Sequence, residues 1–585
     1  MTLVLTSLLA ATAAGCGSAG DGPTQQAAQA RVWYPMTVSF RGPTSSETSS
    51  RPNPFLDFRL QVTFRGPRGR TYSVPGYFDG DGRGGSTGDT WRVRFTPDAP
   101  GRWTYRASFF TGPNAAVTGT GRATAFHGAT GRFRAAPGLK KAPGFHRWGR
   151  LEYVRGHYLK FRAGPHWIKG GVDEPENFLA YAGFDGTKGT RFPLHQYAPH
   201  VRDWRAGDPT WGNGQGKGIV GALNYLSAQK INSIYFLAMN IGGDGQDTWP
   251  FAGDPVPGGS QSNDNLHYDL SKLRQWEVVF RHAQRKGIAL HIVLNEAEPP
   301  NKRELDGGEL GIERKLFYRE LVARFAHHNA LQWNISEEYD LGFDLGPSRV
   351  RQFAGFLQAA DPYDHPITVH SLANPRFAWT PFLGDRRFTV TSFQDVGGTG
   401  DRGRWVEEFR ARSKQARWPL VVSLDELRAA TTRNIVSHRR EIVWPTYMSG
   451  GQLEHYFEPH LRTEDFRPLE GLWRATWHAR KFVSSLPFWQ MEPNDGLVTS
   501  ATTDAGHAQA LARPGHVYAV YLPRADGSGV LDLTRAAGRF EKRWYDPTSG
   551  RYEARTVING GSRVALGRPP SRVGEDWALV FKRSA

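Results

Sequence analysis

Two hydrophobic rhythms divide the chain. Between residues 31 and about 135, apolar and polar residues alternate over short runs, as in Thr37-Val38-Ser39-Phe40, Phe58-Arg59-Leu60-Gln61-Val62-Thr63-Phe64 and Trp91-Arg92-Val93-Arg94-Phe95. Successive side chains of a strand point to opposite faces, so this alternation buries one face and wets the other. Gly80-Asp81-Gly82 and Pro97-Asp98-Ala99-Pro100-Gly101 supply turns between the runs. Short alternating strands with turns at this spacing predict an N-terminal β-sandwich over residues 31–135.

From residue 145 to 492 the rhythm changes to strand and helix in turn. Apolar, β-branched runs at 166–171, 233–240, 288–296, 331–338, 366–370, 388–394, 419–426 and 453–457 predict strands. Stretches of helical spacing at 222–229, 273–284, 313–328, 350–360, 405–415 and 439–448 fall between them, the last containing Pro445. Eight strands with helices between most of them predict an α/β fold, a (β/α)8 TIM barrel. After Pro493 alternation returns, as in His516-Val517-Tyr518-Ala519-Val520-Tyr521-Leu522, and predicts a second β-sandwich over 493–585.

Two barrel strands end in paired acids. Leu331-Gln332-Trp333-Asn334-Ile335-Ser336-Glu337-Glu338 is the fourth and Pro419-Leu420-Val421-Val422-Ser423-Leu424-Asp425-Glu426 the seventh. Parallel barrel strands deliver their C-terminal residues to one face. Glycoside hydrolysis needs two carboxyl groups flanking one bond. Strand-end acids also cap helices, so the pattern alone leaves a structural role open. The same face collects Asp173 and Asn177 after strand one, Asp244 after strand two, and Glu296 and Glu298 after strand three. Asn334 on strand four, His370 on strand five, Gln394 on strand six, and His455 and Tyr456 on strand eight complete the candidates for sugar binding.

These strand ends resemble the clan A glycoside hydrolases, whose fourth strand carries an Asn-Glu pair and whose seventh ends in Glu. The resemblance implies Glu338 as acid/base, with Glu337 standing where Asn is usual and serving as the alternate. It implies Glu426 as nucleophile, with Asp425 as the rival, because strict alternation would put Asp425 and Ser423 on one face unless a bulge shifts the phase. A closer resemblance covers nearly the whole chain. It is to bacterial hydrolases with an N-terminal sandwich of unknown function, an apiosidase-like barrel and a C-terminal module called collagen-binding. Glu176-Asn177-Phe178-Leu179-Ala180-Tyr181-Ala182-Gly183-Phe184-Asp185-Gly186-Thr187, Gly216-Lys217-Gly218-Ile219-Val220-Gly221-Ala222-Leu223-Asn224-Tyr225-Leu226, Asp306-Gly307-Gly308-Glu309-Leu310-Gly311 and His455-Tyr456-Phe457 carry it.

Composition narrows the classes. The net charge of +17 comes mostly from Arg dispersed along the chain, with no run of five like charges, which argues against a nucleic-acid partner. Residues 1–16 read as an export segment, with an apolar run too short to span a membrane. Ala13-Ala14-Gly15-Cys16 resembles a bacterial lipobox, with Ala where Leu is usual, and predicts lipidation at Cys16; the alternative is an ordinary cleaved signal peptide. Residues 17–30 are small and polar, and read as a tether. Cys16 is the sole cysteine, so no intrachain disulfide forms.

No metal or cofactor motif emerges. The Asp244-Gly245-Gln246-Asp247 stretch lacks the closing Glu of a calcium loop, and His327-His328 has no third ligand nearby in sequence. The Gly-x-Ser-x-Gly stretch Gly84-Gly85-Ser86-Thr87-Gly88 falls among the alternating strands rather than between a strand and a helix, so it makes no esterase elbow. The expectation is therefore an exported, retaining glycoside hydrolase, either secreted or lipid-anchored in the cell envelope, acting on a carbohydrate without a cofactor. The alternative is a non-catalytic surface protein that binds glycans. Nothing in the sequence speaks to oligomeric state.

Overall fold

The computed structural model describes residues 30–255, 262–343, 345–372, 375–394, 402–500 and 506–584. The export segment, the Cys16 lipobox and all of the tether but Ala30 lie outside the described residues. The centre of the molecule is a nearly closed parallel sheet of nine segments. In chain order these are β1 (Gly170–Val172), β2 (Ser233–Leu237), β3 (Ala289–Val293), β4 (Leu331–Asn334), β5 in two pieces (Ile367–Thr368 and His370–Ser371), β6 (Ser392–Phe393), β7 (Ser423–Leu424) and β8 (Gln452–His455). β8 pairs with β1, and each other strand pairs with its sequence neighbour. Ile335 N–H donates to Thr368 O on one side of β5, and Gln394 N–H to Ser371 O on the other, so its two pieces occupy one position. β2, β3 and β4 are buried along their whole length, which is why they read as continuous apolar runs.

The α-helices of six residues or more are α1 (Lys217–Ala228), α2 (Leu270–Lys286), α3 (Pro299–Glu304), α4 (Ile312–Phe325), α5 (Gly346–Ala360), α6 (Arg402–Gln415) and α7 (Glu470–Ser484). Two elements depart from the sequence reading, and one expected helix holds through its proline. The first strand begins at Gly170 rather than His166, because His166 instead bridges Lys160 on a hairpin of Leu151–Tyr153 and Leu159–Phe161. A Cβ at Gly171 would stand 2.6 Å from Glu454 and 2.8 Å from Ser233, so only glycine lets β1 pass between its neighbours. The helix expected over 313–328 stops at Phe325, leaving His327 and His328 in the turn that follows. The helix containing Pro445 does continue, through a wide π-turn at Arg439–Val443 that accommodates the missing N–H.

Antiparallel sheets flank the barrel. At the N-terminal side a three-stranded and a five-stranded sheet face each other, joined by stacked Phe64 and Phe95 at 4.1 Å. They dock on α4, where Arg319 Nη2 donates to Leu60 O at 2.6 Å and Arg324 Nη2 to Phe78 O at 2.9 Å. At the C-terminal side a six-stranded and a three-stranded sheet pack together. Arg439 pairs with buried Asp576 at 2.5 Å and Trp444 stacks on Tyr521 at 4.8 Å, so the barrel and this region share a core. Among the described residues no helix is long and apolar enough to cross a membrane.

Candidate active site

The ends of β4 and β7 are shaped by two left-handed residues. Glu338 has φ 32° and Glu426 φ 45°. A non-glycine residue in that region costs on the order of 1–3 kcal/mol and persists only where its surroundings hold it. Here they do. Glu426 N–H donates to Asp173 Oδ2 at 2.7 Å, and Lys302 Nζ donates to Glu338 O and Leu341 O at 2.6 Å each. Asp425 follows strand alternation and looks into the barrel interior, accepting from Ser423 Oγ at 2.9 Å and Ser392 Oγ at 2.7 Å. The left-handed turn then places the Glu426 side chain on the mouth. The positive φ at Glu426 shifts the phase as a bulge would.

The mouth holds a cavity of about 420 Å³. Glu337, Glu338 and Glu426 line it with Glu296, Glu298 and Asp244 from the loops after β3 and β2. Gln394, Tyr456, Glu176, His460 and Arg428 complete the polar wall. One oxygen each of Glu337 and Glu426 and one nitrogen of His370 lie within 4.8 Å of one another, and so do oxygens of Glu176, Glu296 and Glu337.

So many acids in one cavity cannot all ionise. Burial pushes the Glu426 carboxyl up to about 8, with the Glu338 charge adding and a hydrogen bond to Glu176 opposing. Burial, then Glu426 and Glu296, hold Glu337 well above the usual range, although Tyr235 O–H donates to its Oε1 at 2.6 Å. Glu338 is raised by burial, against a hydrogen bond to Gln394 and the charge of Lys302. Glu298 is pushed to about 7 by burial and Asp244.

His370 ties the two acid strands together. Its Nδ1 accepts from Glu338 N–H at 3.3 Å, so Nε2 carries the proton and faces Glu426 Oε2 at 3.5 Å. Burial drops its pKa to about 3, so the ring is neutral.

The candidates from sequence divide into two groups. Asp244, Glu296, Glu298, Glu337, Glu338, Gln394, Glu426 and Tyr456 line the cavity. Asp173, Asn177, Asn334, His370, Asp425 and His455 do not. Asn177 is buried between Asp247 and His195, and Asn334 Oδ1 accepts from His370 N–H at 3.1 Å. His455 points outward to Thr476 Oγ1 on α7 at 2.7 Å, because its neighbour Glu454 takes the inward position. Sequence reasoning passed over Glu176 and His460. Glu176 lies beside the acids after β1, a signal that was available, whereas His460 arrives from a loop beyond β8 with no local pattern to mark it.

The absence of a third ligand near His327-His328 is corrected by the fold. Glu277 on α2 comes to 3.1 Å from both rings, although Arg94 also pairs with it at 3.3 Å. This trio, and the carboxylate groups at the mouth, are close enough to hold a cation. They come from separate elements, so no sequence spacing announces them.

Comparison with known proteins bears on the fold. Residues 29–110 match the model of a domain of unknown function, DUF5060. No curated protein matches the chain. Among solved structures, a "putative glycoside hydrolase" from Bacteroides vulgatus ATCC 8482 superposes with a TM-score of 0.65 at 15% identity, covering 95% of this chain and 100% of that one. A glycoside hydrolase family 5 protein from the same organism gives 0.53 at 14% identity, covering 76% of this chain and 95% of its own. At such identities the likeness establishes the fold alone: this chain is folded as those glycoside hydrolases are.

Proposed function

We propose that the protein is an exported glycoside hydrolase that cleaves O-glycosidic bonds in a poly- or oligosaccharide with retention. The observation that carries this reading is the pair Glu338 and Glu426, brought by left-handed turns at the ends of two barrel strands into one acid-lined cavity. Glu338, raised by burial, protonates the leaving oxygen. Glu426 attacks the anomeric carbon to form a glycosyl-enzyme, and water then releases the sugar with Glu338 acting as base. In the free enzyme Glu426 holds a proton at neutral pH, and attack requires its carboxylate. Glu338, whose charge helps raise Glu426, is the neighbour that takes up this proton: its transfer leaves Glu426 ionised for attack and Glu338 protonated for the leaving oxygen, and positive charge developing on the sugar favours that form. His370 is a positioning residue for both strands, and the other cavity acids and Tyr456 hold hydroxyls.

The sheet pairs at either end are read as β-sandwich modules, and Cys16 as a lipid anchor. The apiosidase-like affinity belongs to the same reading. The test is covalent labelling with a panel of activated fluoro-sugars. Glu426→Ala abolishes labelling while Asp425→Ala retains it. Labelling that survives at Glu426→Ala and vanishes at Asp425→Ala reverses the nucleophile. Equal turnover by wild type and Glu338→Gln removes Glu338 as the acid, and no turnover in either while glycan binding persists removes the catalytic reading and leaves a glycan-binding protein.

A further inference from the structure

A second groove lies on the other end of the barrel. The loops that lead into β1, β2 and β3 and the C-terminal part of α7 enclose a volume of about 600 Å³. The acidic cavity sits where the strands end; this groove sits where they begin, and the catalytic reading makes no use of it.

Its walls are aromatic. Trp489 is 45% exposed, and its ring stacks on His166 at 4.9 Å with the planes 9° apart. Buried Phe488 meets Trp489 edge-on at 5.3 Å, so the exposed indole is held from two sides. Trp148 and Trp477 are half-buried on the same groove. An indole face left in water but fixed in orientation is costly to hydrate and cheap to cover, because little side-chain freedom remains to be lost on binding. The apolar face of a pyranose ring suits such a platform.

Its rim is basic. Arg147 and Lys230 are exposed, Lys286 is half-buried with Asp208 at 3.9 Å, and no Asp or Glu lines the groove. The fourth cation, Arg480, is buried and donates to Gly170 O at 3.1 Å, so it shapes the wall. Seven acids line the cavity at the mouth, the opposite sign from this groove. A rim of cations on an aromatic floor suits neither a neutral glucan nor a hydrated polyanion without rings. It is complementary to a sugar chain that carries carboxylates.

We propose that this groove is a second carbohydrate-binding site, and that its ligand is an acidic, uronate-bearing polysaccharide. The sugar faces pack on Trp489, Trp148 and Trp477 while carboxylates meet Arg147, Lys230 and Lys286. Such a site would hold the protein on an acidic matrix whatever bond the mouth cleaves.

The test is affinity electrophoresis of the whole chain in gels containing polygalacturonate, a neutral galactan or polyphosphate. Polygalacturonate retards the wild type, and retardation weakens with added salt, as expected for exposed charges. Trp489→Ala and the double change Arg147→Glu with Lys230→Glu each weaken binding at least tenfold at an unchanged melting temperature. Glu426→Ala binds as wild type does. Absence of retardation by polygalacturonate, or variants that bind like wild type, overturns the proposal. Equal retardation by polyphosphate overturns the sugar-specific part, and equal retardation by neutral galactan overturns the role of the basic rim. None of these readouts needs turnover, so they stand apart from the catalytic reading.

Discussion

Replacing Lys169 with methionine tests how the floor of the cavity is built. Lys169 is buried inside the barrel, with Nζ 2.9 Å from Asp425 Oδ1 and 2.8 Å from Glu454 Oε2. Glu454 also meets His291 Nδ1 at 2.6 Å. Burial alone would raise Glu454, but Lys169 and His291 outweigh it and bring its pKa from 4.5 down to about 2. A shift of that size corresponds to about 3 kcal/mol, at 1.36 kcal/mol per unit. Breaking a buried pair from one side costs roughly 3–5 kcal/mol, because the remaining charge has no partner. The two figures are of the same order, although the first is the net of Lys169, His291 and burial, and Asp425 on the same lysine is raised by its burial.

Lys169→Met is therefore expected to destabilise the protein by about 3–5 kcal/mol at pH 7, roughly 3 °C in melting temperature if the whole chain unfolds together. The pH dependence carries the sharper test. In the wild type the depressed pKa of Glu454 contributes stability that is present above pH 4.5 and is lost as the pH falls towards about 2. In the variant, burial and the facing Asp425 raise the folded carboxyl pKa values above their unfolded ones. That penalty is absent at low pH and grows as the pH rises through the carboxyl range. The gap between the two proteins should narrow from pH 7 to pH 4 in calorimetric melts. Adding Glu454→Gln to Lys169→Met should recover part of the loss. A gap below about 1 kcal/mol, or one constant across that range, would refute the reasoning.

Two further outcomes concern the mouth. Glu338 helps hold the Glu426 carboxyl up near 8, and attack requires the carboxylate, so labelling of Glu426 by a fluoro-sugar should rise with pH through that value in the wild type. With Glu338→Gln the midpoint should move lower, and an unmoved midpoint would show that the two groups do not interact. A Cβ at Gly243 would stand 1.5 Å from Glu296 Oε2, so Gly243→Ala should displace Glu296 from Asp244 N–H and raise KM more than it lowers kcat. Unchanged kinetics would remove Glu296 from the substrate site.

The strands β2, β3 and β4 were legible because a strand buried on both faces must be apolar throughout, and few other elements produce such short continuous runs. β1 was misplaced because Trp167 and Ile168 are as apolar as a strand, while the true strand opens on two glycines, the first hemmed in by Tyr447 and Arg480 and the second by Glu454 and Ser233, all tens to hundreds of residues away. The paired acids at β4 and β7 were legible as chemistry. Which acid of the seventh pair faces the mouth was not, because it depends on one φ at Glu426 that the Asp173 carboxylate holds in place.

Periodicity is a local property, so the sequence by itself determined where strands and helices alternate, and that carboxylates end two of the strands. Convergence is not local. His455 and Tyr456 are neighbours in sequence, yet one turns to α7 and the other to the cavity. Glu176, His460 and Glu426 meet only because the sheet closes β8 against β1. The energies that follow, including the raised carboxyl of Glu426 and the lowered one of Glu454, come from burial and from charges contributed by distant strands. Those were decided by the tertiary structure alone, because the Coulomb energy of two charges depends on their separation in space and on the water excluded between them.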